Sequence, residues 1–259
     1  HNKFMFSVLS KQFLISTPAT LLLQSDAALY GLSTADLSMG VLKPVWSRFA
    51  NQALIQPAQQ DVKSLSPNPK MPWIWQQFSS GCEVCSYSVA VEGKVVVHTL
   101  YHPKHRVGQG SGIYFEPIVN KTIEDFVAQF CERLNWTGQV AFDYIETNQG
   151  ESKSVQALEC NPRATSGVHL MRYKNPQALQ ISFAMWLFGL PKAMRRPATW
   201  WHDYCHAKDV IAVKGDGWPL WVQPLCLIEI VWRALSQRKS LLAAATSDIE
   251  WNGEDLDAV

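Results

Sequence analysis

The chain has 259 residues, enough for one large domain or two small ones with a buried core. Hydrophobic residues make up 47% and charged residues only 17%. That excludes a disordered chain, which would be charge-rich and poor in apolar residues. Net charge is +1, so no bulk field argues for nucleic acid or a membrane surface as partner.

In chain order, Phe6, Leu9 and Phe13 give a helical apolar pattern from Asn2 to Leu14, closed by Thr17 and Pro18. Short strands are expected at Thr20 to Leu23, at Gly40 to Trp46 around Lys43, and at Trp73 to Phe78. Residues 51–72 are poorly patterned and broken by Pro57, Pro67, Pro69 and Pro72. Cys82 to Val91 and Lys94 to Tyr101 read as a hairpin turning at Glu92-Gly93. Residues 102–117, with Gly108, Gly110 and Gly112, read as a loop, with Arg106 a candidate anion clamp. Thr122 is the expected N-cap of a helix with Ile123, Phe126, Val127, Phe130, Cys131 and Leu134 at helical spacing. Gln139 to Glu146 and Ser154 to Asn161 are expected strands joined near Gly150. Asn175-Pro176 should cap a helix running to Leu190, and Leu225 to Ser236 should form another. This mixture predicts an α+β fold.

The most apolar stretches, 178–190 and 219–235, are short for spanning helices, and the second carries Gln223 and Glu229. Six cysteines make no disulfide scaffold in a chain this long. Cys82 and Cys85 have an odd strand spacing that sends them to opposite faces, and no second CxxC completes a zinc site. The thiols are expected to be reduced and mostly buried, and the protein cytoplasmic. The sequence opens at His1 on a helix-like segment, and no targeting peptide is expected in it.

The chemistry concentrates between Gln139 and Arg163. Asp143 interrupts an apolar strand, Val140-Ala141-Phe142-Asp143-Tyr144-Ile145. Glu159 and Asn161 end the next strand, before Pro162 and Arg163. Alternation puts Glu159, Asn161 and Arg163 on one face while the strand lasts, and a turn near Gly150 or Glu151 can set Asp143 opposite Glu159. Two carboxylates and an amide oxygen are hard ligands suited to Mg²⁺, and Arg163 adds a fixed cation. The plain alternative is a solvated Asp143 and a Glu159–Arg163 ion pair.

Glu159-Cys160-Asn161-Pro162-Arg163 and Phe142-Asp143-Tyr144 resemble the metal-binding strand ends of the ATP-grasp superfamily of carboxylate ligases. The nearest likeness is to its carbamoyl-phosphate-synthase-like and biotin-carboxylase-like branches. Over about residues 1–170, other segments follow in matching order. The resemblance implies that Lys3 and Lys43 contact the nucleotide phosphates, and that Asp143, Glu159 and Asn161 bind the metal. It implies that the backbone of Gln76, Gln77 and Phe78 reads adenine, that Glu83 holds the ribose, and that Arg163 serves the reaction itself. It also implies ATP and Mg²⁺ as cofactors, with Mn²⁺ as a substitute, and a ligase that activates a carboxylate as acyl-phosphate for an amine. The implied partners are small molecules, with no nucleic acid or membrane, and a homo-oligomer is compatible with it.

The implied organisation is a core over 1–172, divided into 1–100 and 101–172, and a tryptophan-rich extension over 173–259. Three departures stand against the pattern. Gln77 stands where an acidic residue is common in the family. Residues 45–50 lack the family's usual phosphate flap glycines, leaving Ser47 or Arg48 for that contact. The resemblance implies an N-terminal domain of about 100 residues ahead of Lys3, and only two residues stand there in this sequence. These departures keep open a nucleotide-binding module without turnover, or one domain of a larger carboxylase or synthetase. His202, Cys205 and His206 have metal-ligand spacing but no evident fourth ligand, and are expected to be structural.

Overall fold

The computed structural model describes residues 2–13, 15–47, 52–107, 110–149, 152–172, 177–212 and 215–246. Its elements in chain order begin with α1 (Lys3–Ser10), β1 (Thr20–Leu23), α2 (Asp26–Tyr30), α3 (Thr34–Ser38) and β2 (Gly40–Pro44). β3 (Leu54–Ile55), β4 (Trp73–Gln77), β5 (Cys82–Val91), β6 (Lys94–Val107) and β7 (Ser111–Pro117) follow. Next come α4 (Lys121–Arg133), β8 (Gly138–Gln149), β9 (Ser152–Asn161) and a 3-10 helix (Ser166–Arg172). The chain ends with β10 (Leu179–Gln180), α5 (Ser182–Phe188), α6 (Leu190–Arg195), α7 (Pro197–His206), β11 (Lys208–Asp209), α8 (Trp218–Gln237) and α9 (Leu241–Thr246). The α+β expectation holds.

Two compact units divide these elements. The first joins 1–100 to 119–165 and the second joins 101–118 to 166–250, so β6 starts in one and finishes in the other.

In the first unit β1, β4, β2 and β3 form an antiparallel sheet in that order. Leu23, Leu29, Leu37, Leu42, Val62 and Trp75 bury its core. β5 pairs antiparallel with β8, and β8 with β9. α4 lays Phe126 and Phe130 against Phe142 of β8, at ring distances of 5.3 and 4.9 Å. Phe6 of α1 meets Phe142 at 5.9 Å, and Phe13 meets Phe130 at 5.2 Å. Full burial of each such ring stabilises the fold by about 1.5–3 kcal/mol. The β5–β6 turn at Glu92-Gly93 has positive φ at both residues, +47° and +78°. That is the mirror-image turn whose twist suits a two-residue hairpin.

In the second unit β7 pairs antiparallel with the end of β6 and with β10, while β10 and β11 run parallel. Ile113, Tyr114, Met185 and Trp200 form its core. Asp203 of α7 is buried and bridges Lys104 Nζ and His105 Nε2 of β6, both at 2.8 Å. No helix among the described residues is long and apolar enough to cross a membrane.

Several expectations need correction. Residues 102–117 are mostly strand, the end of β6 and all of β7, because ladder pairing from Tyr101–Pro117 to Val107–Ser111 outweighs the glycines. Gly108 and Gln109 lie outside the described residues. The N-cap of α4 is Asn120 rather than Thr122, since its side chain accepts from the Ile123 N–H at 3.3 Å. In place of a helix running from Asn175 to Leu190, the described residues form the 3-10 helix Ser166–Arg172, β10 and α5, and Asn175-Pro176 lie outside them. α8 begins at Trp218 and runs through Pro224, which opens no break there. Cys82, Cys205 and Cys226 are exposed, so the free thiols are not mostly buried. Cys82 and Cys85 do face opposite ways, one exposed and one buried.

Candidate active site

The site grows from one row across three strands of the first unit. In register, Cys85 of β5 lies beside Asp143 of β8, and Asp143 lies directly opposite Glu159 of β9. A bulge makes this possible. Tyr144 pairs with Ala157 and Asp143 with Glu159, so Leu158 is an extra residue on β9. Unbroken alternation would put Ala157 and Glu159 on one face. The bulge leaves Ala157 buried in the core and turns Glu159 and Asn161 to the side of Asp143.

Asn161 ties the two carboxyl groups together. Its Nδ2 donates to Asp143 Oδ2 at 3.1 Å and to Glu159 Oε1 at 3.2 Å. Its Oδ1 accepts from Arg163 Nη2 at 3.4 Å, and Arg163 Nη1 donates to the Ala164 carbonyl at 3.1 Å. The amide N–H groups thus lie toward the carboxylates, where a cation would lie. As a metal ligand Asn161 would have to turn its amide over.

Two lysines face this row. Lys3, 3% exposed, is at the start of α1, whose N-cap is Asn2. Its Nζ lies 3.7 Å from Glu159 Oε2 and donates to the Ser47 carbonyl at 2.6 Å and to Ser47 Oγ at 3.3 Å. Glu159 is therefore paired with a lysine 156 positions away in sequence, rather than with Arg163. Lys43, half-buried, sits in β2 opposite Ile74. Arg48 lies outside the described residues.

The electrostatics follow from burial and these neighbours. Burial lowers Lys3 to about 8, against the pull of Glu159. Burial also pushes Lys43 down, against Glu159, Asp143 and Glu83. Asp143 is raised to about 8, by burial first and then by the charges of Glu159 and Glu83. For Glu159 burial pushes upward, but Lys3 and Lys43 outweigh it and its carboxyl is lowered. Two close carboxyl groups on one face hold one proton between them more readily than two charges.

Glu83 joins the same cluster. One ligand atom each from Glu83, Cys85 and Asp143 lies within 4.8 Å of the others. The sequence marks Cys85 only as half of a CxxC, not as a neighbour of Asp143. The available signal was its spacing of two from Glu83 along a strand, which puts both on one face. A thiol is a poor ligand for Mg²⁺, whereas Asp143 and Glu159 are good ones.

The structure does not place Gln76, Gln77 and Phe78 as a free-edged strand. β4 is interior to its sheet, between β1 and β2. Gln77 N donates to the Ala19 carbonyl and Phe78 N to the Met39 carbonyl, both at 2.8 Å. Gln76 is buried, with its Nε2 on Thr20 Oγ1 at 3.2 Å. His202 and His206 stack at 4.0 Å, and His206 Nδ1 lies 2.8 Å from the His202 carbonyl, an exposed local contact on α7.

Among solved structures the chain is similar to N5-carboxyaminoimidazole ribonucleotide synthetase in its ADP complex. The TM-score is 0.53 at 16% identity, over 68% of this chain and 48% of that one. The same synthetase from Thermus thermophilus matches at TM-score 0.49 and 13% identity, over 66% and 47%. The L-amino acid ligase from Bacillus licheniformis matches at TM-score 0.47 and 15% identity, over 64% and 43%. No family model and no curated protein matches the sequence. The first likeness establishes the fold, and the chain has the ATP-grasp fold. It spans about half the length of these structures.

Proposed function

We propose that this chain is the nucleotide-grasping part of an ATP- and Mg²⁺-dependent ligase. The reaction would phosphorylate a carboxylate to an acyl-phosphate, which an amine or similar nucleophile attacks, releasing ADP and phosphate. The observation that supports this is the facing pair Asp143 and Glu159, with two lysines set against them in the ATP-grasp fold. The synthetase of the same fold was solved with ADP, which agrees with it. The divalent cation, Mg²⁺ or Mn²⁺, would neutralise phosphate oxygens and polarise the transferring group.

In this reading Asp143 and Glu159 hold the cation through carboxylate oxygens. Asn161 adds its Oδ1 once the amide turns over. Lys43 and Lys3 hold phosphate oxygens, Lys3 exchanging one of its Ser47 contacts for them. Arg163, held by the Ala164 carbonyl, steadies the phosphoryl group as charge develops on it. Glu83 contacts the ribose. Because the N–H groups of Gln77 and Phe78 are engaged, adenine is read by backbone beyond Phe78. Residues 1–100 would then carry the phosphate lysines, 101–172 the metal ligands, and 173–259 the surfaces that choose substrate.

The test is phosphate release from Mg-ATP over a panel of amino acids and short carboxylates. Glu159→Gln should lower stimulated turnover about 100-fold or more while keeping a single thermal transition. Lys43→Ala should weaken nucleotide binding about tenfold, near 1.4 kcal/mol. Unchanged turnover in Glu159→Gln would remove that carboxylate from the site. Tight Mg-ADP binding with no stimulation by any acid would favour the second reading, a module that binds nucleotide without turnover. The Asn161 N–H groups between the carboxylates are the feature that favours that alternative.

A further inference from the structure

α8 carries two faces that point in nearly opposite directions at 100° per residue. Gln223, Leu227, Ile230 and Ala234 are among its least exposed residues and form the inner face. Trp218, Trp221, Leu225, Ile228, Trp232 and Leu235 form the outer face, and they are 78, 76, 63, 64, 68 and 75% exposed. A helix lying on its own domain normally turns polar residues outward. Scattered exposed apolar side chains need no explanation, but six in one stripe do.

The stripe repeats at spacings of three, four, three, four and three. That alternation of three and four follows the repeat of about 3.5 residues that marks a seam between two paired helices. The seam positions carry no charge, and the Glu229–Arg233 ion pair at 2.7 Å lies beside them. A helix lying in a membrane surface would instead have a polar face rich in lysine and arginine, and Arg233 is the single such residue in α8.

We propose that this stripe is the docking surface for a second copy of the chain, with the two α8 helices antiparallel. The proposal is independent of the ligase reading. With the two-fold axis between residues 226 and 227, Trp218 layers on the partner's Leu235. Trp221 layers on the partner's Trp232, and Leu225 on the partner's Ile228. Each seam residue gains one mate and none is left over. The exposed parts of three tryptophans and three aliphatic residues amount to roughly 750 Å² per copy, close to the ~800 Å² per partner of a stable interface. The seam would be isologous, as two-fold symmetry requires.

The test is sedimentation equilibrium on the full chain across the micromolar range, with tryptophan emission recorded on dilution. The expected result is a monomer–dimer equilibrium whose emission shifts to the blue as dimers form. The double variant Trp221→Glu/Trp232→Glu should stay monomeric with unchanged circular dichroism. If that variant does not fold, the dilution series on the parent chain decides alone. A parent that remains monomeric overturns the proposal, whether its tryptophans emit as buried under its own chain or as exposed. A dimer that persists in a folded double variant overturns it too, since another surface then holds the pair. Sedimentation of a monomeric parent with phosphatidylcholine–phosphatidylserine vesicles would overturn it by making lipid the occupant.

Discussion

At the scale of single residues, burial decides more than formal charge does. His98 shows it clearly. Its Nδ1 lies 2.8 Å from Ser88 Oγ, and burial lowers it from 6.5 to about 4. The unfolded chain binds this proton between those two values and the folded chain does not. Stability from the neutral ring is therefore complete above pH 6.5 and is lost progressively as pH falls toward about 4. The full shift corresponds to about 3 kcal/mol, and residual exposure trims that to about 2 kcal/mol. His98→Phe should flatten the fall in urea stability across this window. An equally steep fall in the variant would clear His98 of the effect. Lys3 shows the same principle in the site, because burial lowers it even with Glu159 3.7 Å away.

At the scale of elements, close approach of backbone and side chain sets the frame. Gly40 opens β2, and a Cβ there would lie 1.9 Å from Trp75 Nε1. That indole donates to the Asp36 carbonyl at 2.8 Å, so it cannot yield without losing its partner. Gly40→Ala should cost about 2 kcal/mol or more, through overpacking together with the broken hydrogen bond. Denaturant melts measure this directly, and a loss below half a kilocalorie, about the noise of a surface change, would show that Trp75 moves freely. The β9 bulge is the second such device. That Asp143 and Glu159 face each other across neighbouring strands was legible from alternation, but the extra Leu158 was not, and the turn expected near Gly150 lies outside the described residues. A bulge has no composition of its own; it is chosen by which face each half of the strand must bury.

At the scale of the whole molecule, every residue assigned to the nucleotide lies in the unit built from 1–100 and 119–165. A chain spanning about half of the solved synthetase should therefore still couple nucleotide binding to stability. Mg-ADP at about 100 times its dissociation constant should add about 2.7 kcal/mol, seen as a raised melting temperature. Lys43→Ala should shrink that rise at the same ligand concentration. A parent chain whose melting temperature ignores Mg-ADP up to millimolar levels would contradict the nucleotide reading.

The sequence by itself determined the α+β class, the strands on either side of Glu92-Gly93, the amphipathic face of α4 and the acidic pair of β8 and β9. These depend on local periodicity and on residues close in the chain, where pattern carries the information. Tertiary structure alone decided that Lys3 pairs with Glu159, that β4 is interior with its N–H groups engaged, and that residues 102–117 are mostly strand. It also decided that α8 turns its tryptophans outward. Each of these depends on which distant backbone or side chain arrives as neighbour, and the free energy of pairing and burial belongs to both partners. Near-zero net charge was silent on the site for the same reason. A few placed lysines and carboxylates create the local field, and only the fold brings them together.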